Sequence, residues 1–238
     1  RQGYWRIDEE PSQVGENLYC WGADPVEGRE IIPGLGNRGG DKAAARFFRR
    51  DSRKFVATLS ARIDPDIFAE EIDKAGRYYR NAPGLPELNA GGGGQLLLAR
   101  LRERGVRMLR TPVLGKKRAE NKVDRVGFET LTKSKRYLID NMIPQVREGL
   151  YLDPDKEAWY QCSTYVRDQN GRTEAQSNKF DDLVMATALT LEADNLMPLV
   201  FTRSKVKKEI IPRDVDKPQA KSEKKTQDQL MEANLCEF

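Results

Sequence analysis

Three apolar, strand-like stretches crowd the first sixty residues, and a regular alternation of helix and strand patterns follows. Few chain folds accommodate that order. Residues 16–24 have the Leu, Tyr, Cys and Trp density of a buried strand and end on an acid, Asp24. After a Gly- and Pro-rich loop over 25–40, residues 43–50 and 54–60 read as two strands joined by a polar turn at Asp51 and Ser52. Asp64 and Pro65 make a helix start, and Phe68, Ile72, Ala75 and Tyr79 continue it as one apolar stripe. A short strand at 85–88, a glycine tetrad, a helix over 95–104 and a strand at 106–110 come next. Residues 111–130 are polar and basic, as in a hairpin or ordered loop. A long helix over 132–150, bent at Pro144, precedes a strand-like segment at 159–166. A last helix begins near Phe180, with Val184, Ala188 and Leu191 on its buried side. Residues 1–15 read as polar and irregular.

This order predicts an α/β fold, a mixed sheet in which an antiparallel meander is followed by parallel strands, with helices on both faces. A ribonuclease H-like core fits it, and periodicity alone leaves a flavodoxin-like sheet open as well. Residues 1–200 are expected to form this domain. Residues 201–238, dense in Lys, Glu, Asp and Gln, are expected to be a disordered charged tail.

Composition narrows the chemistry more than the fold. The chain has 238 residues and no histidine, which removes Ser-His-Asp and Cys-His catalysis, imidazole zinc sites and a histidine general base. Cys20, Cys162 and Cys236 lie far apart, with no Cys-x-x-Cys pair to signal a zinc site or a disulfide framework. The net charge of +4 is too small to announce a nucleic-acid binder by itself. No apolar run approaches the roughly 20 residues that span a bilayer. The sequence opens on Arg1 without a signal-peptide pattern, and so reads as a cytoplasmic piece of a longer protein.

Carboxylates stand where α/β sheets put function, at strand ends and helix starts. Asp24 closes the first strand, Glu87 lies in the strand before the glycines, and Asp181 and Asp182 open the last helix. Carboxylates brought together repel one another unless they protonate or bind a cation. With oxygen ligands alone that cation is Mg2+ or Mn2+. Two such ions about 4 Å apart can activate water and stabilise the leaving oxygen of a phosphodiester. Each acid also has a plainer reading. Asp24 beside Pro25 could be a turn residue, Glu87 an edge charge, and the Asp181 pair a complement to the helix dipole.

A family resemblance sharpens the choice. Trp21-Gly22-Ala23-Asp24-Pro25-Val26-Glu27-Gly28, with Gly39-Gly40-Asp41-Lys42 after it, resembles the first-strand motif of bacteriophage terminase large-subunit nuclease domains. Ile63-Asp64-Pro65-Asp66 and Gly76-Arg77-Tyr78-Tyr79 resemble their first helix, and Pro86-Glu87-Leu88-Asn89 their second acidic motif. Ser163-Thr164-Tyr165-Val166-Arg167-Asp168 resembles the late strand, and Asp181-Asp182-Leu183-Val184-Met185-Ala186 the acidic pair on the last helix.

The resemblance covers roughly residues 16–195 and implies a ribonuclease H-like endonuclease that cuts concatemeric double-stranded viral DNA during genome packaging. Asp24, Glu87 and Asp181 would be the metal-binding and catalytic triad for two ions, with Asp182 a further ligand and Asp41 a weaker candidate. The family's histidine after the middle acid is missing, since Leu88-Asn89-Ala90 leads into Gly91–Gly94. Implied partners are duplex DNA, portal protein, the small terminase subunit and an N-terminal packaging ATPase, in the cytoplasm of a bacterial host. Alternatives within reach are a resolvase- or transposase-type nuclease and a non-catalytic DNA- or portal-binding module.

Basic residues cluster at Lys116, Lys117 and Arg118, and again at Lys133, Lys135 and Arg136. Lining a groove, they would bind duplex backbone with strong salt dependence and without reading sequence. For any one of them, a solvated charged face is the alternative.

Overall fold

Side-chain alternation along four antiparallel strands settles which residues face which layer of this molecule. The computed structural model describes residues 4–12, 17–25, 42–88, 93–112, 124–167, 173–176 and 180–198. All of these belong to one compact unit, Arg1–Val206. The tail over 201–238 lies outside the described residues. In chain order the elements are β1 (Trp5–Ile7), β2 (Tyr19–Asp24), β3 (Ala43–Arg49), β4 (Lys54–Ala61), α1 (Pro65–Tyr78), β5 (Gly84–Leu88) and α2 (Gly93–Glu103). Then follow the two-residue β6 (Arg110–Thr111), β7 (Arg125–Val126) and β8 (Phe128–Glu129). Last come α3 (Thr132–Arg147), α4 (Lys156–Ser163), β9 (Tyr165–Arg167), β10 (Thr173–Ala175) and α5 (Asp182–Leu196).

Six strands form the main sheet in the order β1-β4-β3-β2-β5-β8. The β2, β3 and β4 meander is antiparallel, while β5 runs parallel to both β2 and β8. The expected mixed sheet is therefore present.

Tyr19, Trp21 and Ala23 of β2 join Ala43, Ala45 and Phe47 of β3 in a core closed by α1 and α2. The alternate residues Cys20, Phe48 and Leu85 join a second core with α3 and α5. Helices thus cover both faces. On the first face Tyr79 stacks on Phe47 at 5.1 Å, and the indole of Trp21 donates to the Ala82 carbonyl.

Three local expectations are corrected. The opening residues are not wholly irregular: β1 pairs antiparallel with β4, and Trp5 packs edge-on against Phe47. A strand of three residues is too short to display its period. Residues 159–166 are rich in strand formers, yet α4 occupies most of them. The Asp155 carboxylate accepts hydrogen bonds from the Glu157 and Ala158 amides and so starts a helix. The strand begins only at Tyr165. The strand expected at 106–110 is reduced to a bridge at Met108 followed by β6. Of the segment over 111–130, β6 and β7 pair antiparallel, as in a hairpin, and residues 113–123 lie outside the described set.

Gly22 lets α5 settle directly on β2. A Cβ there would overlap the Thr190 amide nitrogen and stand 2.7 Å from the Leu189 carbonyl carbon. Backbone cannot yield as a flexible side chain does, so Gly22→Ala is expected to cost about 1–3 kcal/mol, as overpacking does. The urea midpoint of the variant should fall with the slope unchanged. A wild-type midpoint would contradict this close packing.

Candidate active site

The alternation that sorts the two cores also aims the acids. Asp24 continues the Cys20 and Gly22 face of β2, and Glu87 the Leu85 face of β5, which is the side that α5 covers. Along the parallel ladder Trp21 pairs with Gly84, Gly22 with Leu85 and Ala23 with Pro86. One step further, Asp24 comes alongside Glu87. Glu87 is only 6% exposed, so it is not an edge charge, and Asp24 is half-buried.

Their carboxyls lie close enough to repel each other. Burial first, then the neighbouring Glu87, then the charges of Asp182 and Asp181, push the Asp24 carboxyl well above the ordinary carboxylate range.

α5 brings the other two acids. Asp181 is its N-cap residue but makes no side-chain cap hydrogen bond. Asp182, 5% exposed, accepts from the Lys42 amide at 3.3 Å. The positive end of the helix dipole lowers the cost of holding both acids there. Gly22 makes the arrangement possible, because only its close contact seats α5 against the strand that carries Asp24.

Lys135, on the first turn of α3, is the member of this cluster that sequence reasoning assigned elsewhere. Its ammonium donates to Asp181 Oδ2 at 3.3 Å. It was grouped with Lys133 and Arg136 as a DNA contact, and those two are indeed exposed. Lys135, however, falls on the stripe that Leu138, Ile139 and Met142 continue, the buried side of α3. That spacing was the available signal. Lys116, Lys117, Arg118 and Asp41 lie outside the described residues.

The structure thus brings Asp24, Glu87, Asp181 and Asp182 into mutual electrostatic reach. Among the described residues, no three acids are gathered tightly enough to form a ready-made ion-holding group. One of the four, Asp181, is already paired with the Lys135 ammonium. The donor set is oxygen throughout, which matches a hard divalent cation.

Neither a family model nor a curated protein matches this sequence. Solved structures do match it, and they define the class first: the architecture is the ribonuclease H-like fold. The neighbours that carry that assignment are phage large terminase nucleases. The magnesium-bound large terminase nuclease of thermophilic phage G20c aligns with a TM-score of 0.57 at 19% identity, covering 81% of this chain and 88% of that one. Its cobalt-bound form aligns at 0.58, also at 19% identity, with the same coverage. The large terminase nuclease domain of Thermus phage P74-26 aligns at 0.56 and 19% identity, covering 80% of this chain and 85% of that one.

Proposed function

We propose that this chain is a divalent-metal-dependent DNA endonuclease of the large-terminase kind, which cuts concatemeric double-stranded viral DNA during genome packaging. The carrying observation is the set of neighbouring acids: Asp24 and Glu87 side by side on parallel strands, near the helix start that bears Asp181 and Asp182. The fold adds support, since its neighbours include G20c nuclease structures with magnesium, cobalt and zinc bound.

On this reading Asp24, Glu87 and Asp181 hold two Mg2+ or Mn2+ ions between them, with Asp182 as a further ligand. Bound there, the ions supply Lewis acidity toward water and the phosphodiester. No protein nucleophile is required, which suits a chain without histidine. Exposed Lys133 and Arg136, on the same helix as Lys135, would steady the phosphate backbone. Lys116, Lys117 and Arg118 would extend that contact. The same reading brings the portal, the small terminase subunit and a packaging ATPase as partners in the host cytoplasm. It also leaves residues 201–238 as a tail outside the nuclease domain.

Incubation of the protein with supercoiled plasmid tests the proposal. Nicked and linear products are expected with Mg2+ or Mn2+ and not with EDTA. A folded protein that leaves the plasmid intact with both metals, or that cuts equally well in EDTA, would sink it.

A further inference from the structure

Lys135 carries more than an electrostatic pairing. Its stem follows the buried stripe of α3, its side chain is 31% exposed, and its ammonium lies 3.3 Å from Asp181 Oδ2 and 6.0 Å from the Tyr165 ring centre. Lys133, two residues earlier, stays exposed. A charged ammonium thus stands against one of the acids on which metal binding depends.

We propose that Lys135 is a built-in counter-ion of the acid cluster, which neutralises Asp181 in the metal-free protein and must leave it before a divalent cation is held there. The inference rests on the metal-binding reading of the site. Two cations sharing one carboxylate repel at contact distance, so each displaces the other. Divalent affinity is then the difference between what the acids gain from the metal and what they lose with the ammonium. The pair also accounts for acids that lie close and yet form no ready ion cage among the described residues.

Calorimetric titration of the full chain with MnCl2, alongside thermal melts in EDTA, tests the idea. The variants are Lys135→Met, which keeps the apolar stem, and Lys135→Arg, which keeps the charge. Lys135→Met is expected to bind Mn2+ roughly five- to tenfold more tightly than wild type, and to melt at a lower temperature in EDTA because Asp181 has lost its partner. Lys135→Arg should stay close to wild type in both measurements. Equal or weaker Mn2+ binding by Lys135→Met overturns the counter-ion role, and if wild type still binds Mn2+ the metal site itself stands. Failure of both wild type and Lys135→Met to bind Mn2+ sinks both readings. An EDTA melt of Lys135→Met at or above that of wild type would also overturn the role.

Discussion

An Asp24→Asn variant is expected to lose DNA cleavage by on the order of a hundredfold or more, and to unfold at a higher temperature than wild type in EDTA at neutral pH. The two effects have one origin. Groups that merely orient a metal ligand already cost 10–100-fold when removed, and the proposed function makes Asp24 a ligand itself. Without metal, its charge sits among Glu87, Asp182 and Asp181, and burial and those neighbours raise its pKa well above the ordinary 3.8. A carboxyl raised on folding contributes stability that is full below the unfolded value near 3.8. That contribution is lost as the pH climbs through the folded value. At neutral pH the carboxylate is therefore a cost that an amide does not carry. The gap between variant and wild-type melts should narrow as the pH is lowered toward 4. Wild-type cleavage by the variant would remove Asp24 from the site, and a lower neutral melt in EDTA would contradict the electrostatic account.

Asp153→Ala is expected to destabilise the fold by about 3–5 kcal/mol, as breaking a fully buried ion pair does. Arg46 on β3 is 0% exposed and Asp153 2%. The guanidinium grips the carboxylate with both ends, at 2.8 and 2.6 Å, and donates to Thr58 and to Thr187 of α5. It also lies 3.9 Å over the Phe55 ring. Removing Asp153 strands that charge where water cannot reach it. Replacing both partners by apolar residues, Arg46→Met with Asp153→Leu, should recover much of the loss, because no lone charge remains. Urea denaturation measures both, and a single-variant loss under about 1 kcal/mol would mean that water reaches the pair after all.

What the sequence disclosed, and what it hid, follows from how local each signal is. The faces within β2 and within β5 were legible because alternation is local, but that Asp24 and Glu87 share a side follows only from the parallel pairing of the two strands. The start of α5 was legible too, but not its surroundings. A single buried stripe was expected, whereas Asp182 through Asp194 are buried on every side, between the sheet and α3 and α4. The role of Gly22 depends on a helix far along the chain, so nothing near it in sequence announces it. α4 was misread because Trp159, Tyr160, Cys162 and Thr164 favour strands, and the Asp155 cap outweighed them. Lys135 was grouped with its neighbours as a DNA contact, while its spacing from Leu138 and Met142 already put it on the half-buried side of α3.

Asp24 lies on the second strand and Asp181 at the threshold of the final described helix. On the proposed nuclease reading, a polypeptide emerging from the ribosome would have no means of cutting DNA until nearly all of the sheet has formed and that helix has docked over Gly22. Assembly order would then act as a safety catch: fragments that end before Asp181, and misfolded copies whose last helix stays loose, would be inert toward DNA, however many acids they carry.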